Sequence, residues 1–196
     1  AEIAGIKLHA AIDTEISRNH IHHTCQGIWL DWMAQGARVT ANLLHDNAPA
    51  EDLFVEVNHG PFLIDNNLFL SPICLRDVSQ GGAYAHNLFA GRLTMHPEPK
   101  RQTPYHPAHS TKVAGLLNIS GGDNRFYHNI FAGPAGLTAY DKAARPMFIA
   151  GNVYLAGAAP AQSETEPLVK PDFDPALKLV QQANEYSLQI TLDKAW

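Results

Sequence analysis

Cysteine is nearly absent from this sequence. Cys25 and Cys74 offer neither a disulfide framework nor a zinc-ligand spacing, and both thiols are expected to be small buried side chains. Charge is sparse as well: 17% of the 196 residues are charged, the net charge is −5, and there is no basic run. That balance argues against nucleic acid and against an anionic membrane as partners. No apolar run reaches the roughly 18 residues of a helical membrane span. The opening "AEIAGIKLHAAID" has no charged n-region and no cleavage site, so no signal peptide is expected in it. Together with the missing disulfides this favours the cytoplasm, without fixing the compartment. A hydrophobic content of 45% is ample for one globular core.

Helical periodicity is also missing, and a different period takes its place. The pattern apolar-x-x-Asn-x-apolar occurs in "ISRNHI", "VTANLL", "IDNNLF", "YAHNLF", "FYHNIF" and "IAGNVY". Its asparagines are Asn19, Asn42, Asn67, Asn87, Asn129 and Asn152, spaced by 23, 25, 20, 42 and 23 residues. The long interval is one period plus an insertion, the polar stretch 92–112. Short β-type runs at this period predict an all-β, right-handed parallel β-helix, each repeat forming one coil. The dense leucine pattern of a leucine-rich repeat is lacking. The recurring asparagine is read as a structural ladder, its side chain tolerating a left-handed bend and bonding from coil to coil.

The coils are expected over 1–155. The segment 156–196 is expected to be a loop (156–167), a short helix (175–183) and a last strand (187–192) packed on the β-helix. At the other end "GIKLHA" is already repeat-like, with no polar cap. An uncapped coil exposes strand edges, so the chain is expected to be the C-terminal part of a longer enzyme, or to be covered by another chain as a homo-oligomer or by the remainder of the enzyme.

Alignment on the asparagines places Asp31 eleven residues before Asn42 and Glu56 eleven before Asn67. Arg76, Asn118 and Asp141 hold the equivalent positions before Asn87, Asn129 and Asn152. With alternating side chains, Ile28, Leu30, Leu53, Val55, Val57, Ile73 and Leu75 point inward. Trp29, Phe54, Asp31 and Glu56 point outward. Parallel strands lie about 4.8 Å apart, so the two carboxylates are expected side by side, beside an aromatic wall. Like charges stacked in a sheet are unfavourable. The bland alternative is a pair of exposed acids neutralised by Arg76. A carboxylate pair at about 5–5.5 Å has the geometry of a retaining glycosidase.

The stretch "GIWLDWMAQGARVTANLLHDN…EDLFVEVNHGPFLIDNN" (27–67) resembles the catalytic core of glycoside hydrolase family 120, β-xylosidases on a right-handed parallel β-helix. The resemblance runs over about residues 5–155, and its specific parts are the D-W and V-E-V-N-H-G-P segments. It implies Asp31 as nucleophile and Glu56 as general acid/base, with an oligosaccharide as substrate and no cofactor. Arg76 beside Glu56 would favour the ionised form and so argues for the reverse roles, unless Asp77 holds it.

Around the pair, Trp29, Trp32 and Phe54 are candidate sugar platforms. His9, one coil before Asp31, is a candidate lining residue. Asn58 and His59 are candidates for binding hydroxyls or orienting the acid, against plain turn chemistry before Gly60 and Pro61. The insertion, with His96, Arg101, Tyr105, His106 and His109, is expected to form a pocket wall or a subunit contact. His20, His22 and His23 lack a convincing set of further metal ligands and are read as solvated or ladder-flanking. "SGGDN" (120–124) precedes a strand and is read as a turn. Two other readings stay open. One is a polysaccharide lyase on the same scaffold, using Arg76 and Asp141. The other is a non-catalytic carbohydrate-binding or structural β-helix.

Overall fold

The computed structural model describes residues 3–134, 136–183 and 185–194. They form a parallel β-helix of two main sheets, one of nine strands and one of seven. The only helical element among the described residues is the 3-10 turn Thr138–Lys142. Most strands are three residues long, and most of these have the middle side chain inside. Glu15–Ser17 buries Ile16 and His20–His22 buries Ile21.

The repeat positions stack in register. One inner column runs Ile16, Val39, Ile64, Tyr84, Phe126, Ile149. A second runs Ile21, Leu44, Phe69, Phe89, Phe131, Tyr154. Its aromatic rings lie nearly parallel, with centroids 5.0–5.2 Å apart. Each such side chain contributes roughly 1.5–3 kcal/mol by burial.

Between the columns the asparagines form a continuous ladder. The Oδ1 of each accepts both the backbone N–H and the side-chain N–H of the preceding one, at 2.8–3.0 Å, from Asn19 through to Asn152. Glu164 closes the far end by accepting from Asn152. Asn87 bonds directly to Asn129, so the 42-residue interval is one coil carrying an insertion. The left-handed bend does not fall on the asparagine, as expected from sequence. It falls on the residue before it: Arg18, Ala41, Asn66, His86 and His128 have φ of 55–57°, and Gly151 has 65°. Non-glycine residues lose about 1–2 kcal/mol in that region. The ladder's two bonds per step offset the strain and leave the asparagine free to point inward.

Three boundaries differ from expectation. The insertion begins as a coil strand, Arg92–Met95, pairing with Ile73–Ala85, and then forms an antiparallel hairpin of Glu98–Tyr105 and Gly115–Ile119. The coils continue past 155, because Leu168–Lys170 pairs with Val153–Leu155. The segment 175–183 is not helical. Lys178–Gln182 pairs with Glu185–Gln189 as an antiparallel hairpin. So short a segment, opened by Pro175, is a marginal helix by itself, and packing Phe173, Leu177 and Leu188 on Leu88, Ala132 and Leu155 favours the hairpin. Cys74 is buried as expected, whereas Cys25 is exposed.

A second buried polar group supports the coil corners. Asp52 accepts from Ser71 Oγ at 2.5 Å, Ser71 N at 2.9 Å and Asn47 Nδ2 at 2.8 Å, and burial pushes its carboxyl up to about 6. A carboxyl raised on folding stabilises the protein below its unfolded value near 3.8 and loses that contribution as pH rises to about 6. The difference is about 3 kcal/mol. Unfolding free energy of Asp52→Asn measured against pH is therefore expected to fall less between pH 4 and 6 than that of the unmodified chain; parallel profiles would contradict this. For the ladder, Asn67→Ala is expected to cost about 3 kcal/mol or more in denaturant unfolding, since it strands buried partners on both sides. Asn19→Ala, at the half-exposed end, is expected to cost less.

Candidate active site

The two acids are brought together by strand register. Ile28–Leu30 pairs with Leu53–Asp65, placing Trp29 on Phe54 and Leu30 on Val55, so Asp31 and Glu56 follow side by side. Their surroundings differ. Asp31 is nearly covered (its side chain is 8% exposed), and Glu56 is more open at 23%.

Asp31 is held from three directions. Its Oδ2 lies 3.0 Å from Lys7 Nζ and 3.0 Å from His9 Nδ1, and its Oδ1 accepts the Trp32 backbone N–H at 2.8 Å. Burial alone would raise its carboxyl, but the bonds from His9, Lys7 and the Trp32 amide outweigh burial and hold it below the usual range. Asp31 is therefore an ionised carboxylate. Glu56 is shifted the opposite way. Burial raises it first, then the Asp31 charge, against a hydrogen bond from Trp29 and the charge of Arg101. The two carboxyls are thus displaced in opposite directions from their ordinary values, Asp31 down and Glu56 up.

The aromatic groups frame this pair. Trp29 Nε1 donates to Glu56 Oε2 at 3.0 Å, and Lys7 Nζ sits 3.7 Å from the Trp29 ring centroid. Trp32 Nε1 lies 3.0 Å from His9 Nδ1, and the Arg101 guanidinium lies 5.0 Å from the Trp32 ring. Arg101 Nη1 also reaches Glu56 Oε1 at 3.4 Å. His9, Trp29 and Trp32 thus stand at the pair.

Other expectations are corrected. Arg76 does not neighbour Glu56. It lies over the Phe54 ring at 4.5 Å, because Leu53 pairs with Leu75 and Phe54 with Arg76, two residues out of the asparagine alignment. Two irregularities, between Glu56 and Asn58 and between His59 and Phe62, restore the register before Ile64 meets Tyr84. Nor does Asp77 hold Arg76. Asp77 occupies the inward position against Val55, bonded to Ser79, Tyr140 Oη at 2.8 Å and Asn124 Nδ2 at 2.9 Å.

Phe54 points outward but is not available as a platform. It is 5% exposed and packed with Val57, Val78 and Ile119 under the inserted hairpin. Val57 points outward with it rather than inward, since its φ of 45° breaks the alternation. That flip turns Asn58 into the coil, fully buried. There it accepts from Ala34 N at 2.7 Å and donates to Leu30 O at 2.8 Å and Glu56 O at 3.1 Å. Asn58 orders the backbone of both acid-bearing strands and does not reach a ligand. His59 is likewise buried, against the inserted hairpin.

Lys7 is a contact at the pair that the sequence reading did not name, and Arg101 was named only as part of an expected pocket wall, not at Glu56. Lys7 was legible in principle, since it precedes Trp29 by one coil in the same register. Arg101 was not, because its position depends on the path of an insertion. Of the other histidines, His20 and His45 bring their Nε2 atoms to 2.6 Å, and both His20 and His22 stack on His45. His20 and His45 rings are 4.9 Å apart, His22 and His45 5.0 Å apart, and no metal-holding group exists among the described residues.

A solved structure described as the complex of XylC with xylose is similar to this chain, with 41% sequence identity and a TM-score of 0.89. The match covers 94% of this chain and 33% of the XylC chain. The chain thus spans about a third of that protein's length. No protein-family model and no curated protein matches the sequence.

Removing the Asp31 charge is expected to lower the titration of Glu56. Carbon-13 NMR of labelled glutamate in Asp31→Asn reads this directly; an unchanged Glu56 would show that the carboxyls do not interact.

Proposed function

The chain is a β-helix segment of glycoside hydrolase family 120, and from that premise we propose that it carries the acid pair of a retaining β-xylosidase acting on xylo-oligosaccharides. The observation that carries the reading is the placement of two carboxyls side by side in unlike surroundings, Asp31 held by Lys7, His9 and the Trp32 amide and Glu56 facing it, which displaces Asp31 down and Glu56 up. The neighbour's complex with xylose supports the sugar class.

Asp31 attacks the anomeric carbon while Glu56 passes its proton to the departing sugar oxygen, giving a glycosyl-enzyme. Glu56, now ionised, takes a proton from water, which displaces Asp31 and leaves both groups as they began. Lys7 and His9 keep the nucleophile charged and its Oδ2 oriented. Trp32, half-exposed next to the pair, offers a flat apolar face for a sugar ring. Arg76, held over Phe54, and Asn58, turned inward, have no direct part in the reaction. The chain's share of a longer architecture makes activity a property to be measured in the intact protein.

Hydrolysis of aryl β-xylosides is the test. Asp31→Asn is expected to lower kcat at least about 10³-fold with any leaving group. Glu56→Gln is expected to be about equally damaging with poor leaving groups and much milder with an activated phenol, which needs no proton. Proton NMR of the first-formed sugar should show retained configuration. Inversion, or full activity in either variant, would overturn the mechanism.

A further inference from the structure

The hairpin that carries Arg101 is inserted between coils, yet it is fastened at one buried imidazole. His59, three residues beyond Glu56, is 6% exposed. Its Nε2–H faces Thr103 O at 3.1 Å and Leu117 O at 3.2 Å, one carbonyl from each strand of the hairpin. Its Nδ1 accepts from Gln80 Nε2 at 3.1 Å, which places the ring proton on Nε2. Gln80 Oε1 accepts from Ser120 N at 3.0 Å, immediately after the hairpin ends. Thr103 is two residues from Arg101 on the same strand.

A solvent-facing arginine at 3.4 Å from a carboxylate is a loose ion pair, well outside the 2.7–2.9 Å of a strong one. A small shift of its backbone therefore decides whether it reaches Glu56 at all. We propose that His59 is a positioning residue for the acid pair: by bonding to both strands of the inserted hairpin, it sets the Arg101 guanidinium over Glu56 and Trp32. The role assigned to Glu56 in catalysis rests on the reading above; the clamp itself does not.

The charged groups facing Glu56 are Asp31, with Lys7 and His9 behind it, from the preceding coils, and Arg101 from the hairpin. Burial first, then the nearby Arg145 and His106, hold the His59 imidazole below the usual histidine range, the direction a single-proton clamp requires. Arg101 favours ionised Glu56, so losing its contact raises the Glu56 titration and moves the alkaline limb of the pH–rate profile the same way.

The test is carbon-13 NMR titration of Glu56 in the intact protein, alongside pH profiles of aryl β-xyloside hydrolysis. His59→Ala and Arg101→Ala are each expected to raise the Glu56 titration by about half a pH unit, and the double variant by no more than either. His59→Gln, whose amide can donate to both carbonyls, is expected to restore the unmodified value. Should His59→Ala fail to fold, Gln80→Leu, which frees the tautomer, is expected to give a smaller upward shift. The clamp is overturned if Arg101→Ala moves Glu56 while His59→Ala or, in its place, Gln80→Leu does not, or if the single shifts add. Full hydrolysis by Glu56→Gln would instead remove the acid/base reading, while the NMR titrations would still decide the role of His59.

Discussion

The rest of this structure depends on the asparagine ladder. Each coil must turn a corner in a left-handed conformation, and five of the six corners use a residue with a side chain. The asparagine after each corner repays that strain by donating its own N–H and amide to the next coil. The ladder locks equivalent residues of successive coils at one strand spacing, and register is the property on which the site depends. A slip of one residue would turn every side chain to the other face of its sheet. Asp31 and Glu56 then would not meet.

Near the acids the regular coil is interrupted. The positive φ at Val57 reverses the alternation directly after Glu56, turning Val57 out and Asn58 in. Asn58 then ties Leu30 O, Glu56 O and Ala34 N together, bracing both acid-bearing strands from within. Val57, Phe54 and Val78 meanwhile form an outer apolar patch against which Ile119 of the inserted hairpin packs. One strained residue thus both stiffens the floor of the site and seats one of its walls. Strain of order 1–3 kcal/mol is retained only where the surroundings enforce it, and it collects at working sites.

The acids are chemically alike and electrostatically unlike. Asp31 is the more covered, but Lys7, His9 and an amide compensate its charge. Glu56 is the more open, yet it faces Asp31 and has only a distant guanidinium and an indole N–H in support. Burial raises both carboxyls, and the compensating neighbours of Asp31 turn its shift downward, while Asp31 adds to that of Glu56.

Much of this was determined by the sequence alone. Six asparagines at a fixed offset from apolar pairs specify coils, inner columns and the adjacency of Asp31 and Glu56, because a solenoid repeats one local solution and its contacts lie one period apart. His9, Trp29 and Trp32 were legible for the same reason. Where periodicity lapses, only the tertiary structure could decide. The two-residue drift that carries Arg76 to Phe54 depends on bulges whose place no local signal marks. The burial of Phe54, and the arrival of Arg101 at Glu56 and of His59's proton between two carbonyls, depend on the path of an insertion that belongs to no coil. The C-terminal segment took strand over helix because its pairing and its apolar partners are both supplied from elsewhere in the fold.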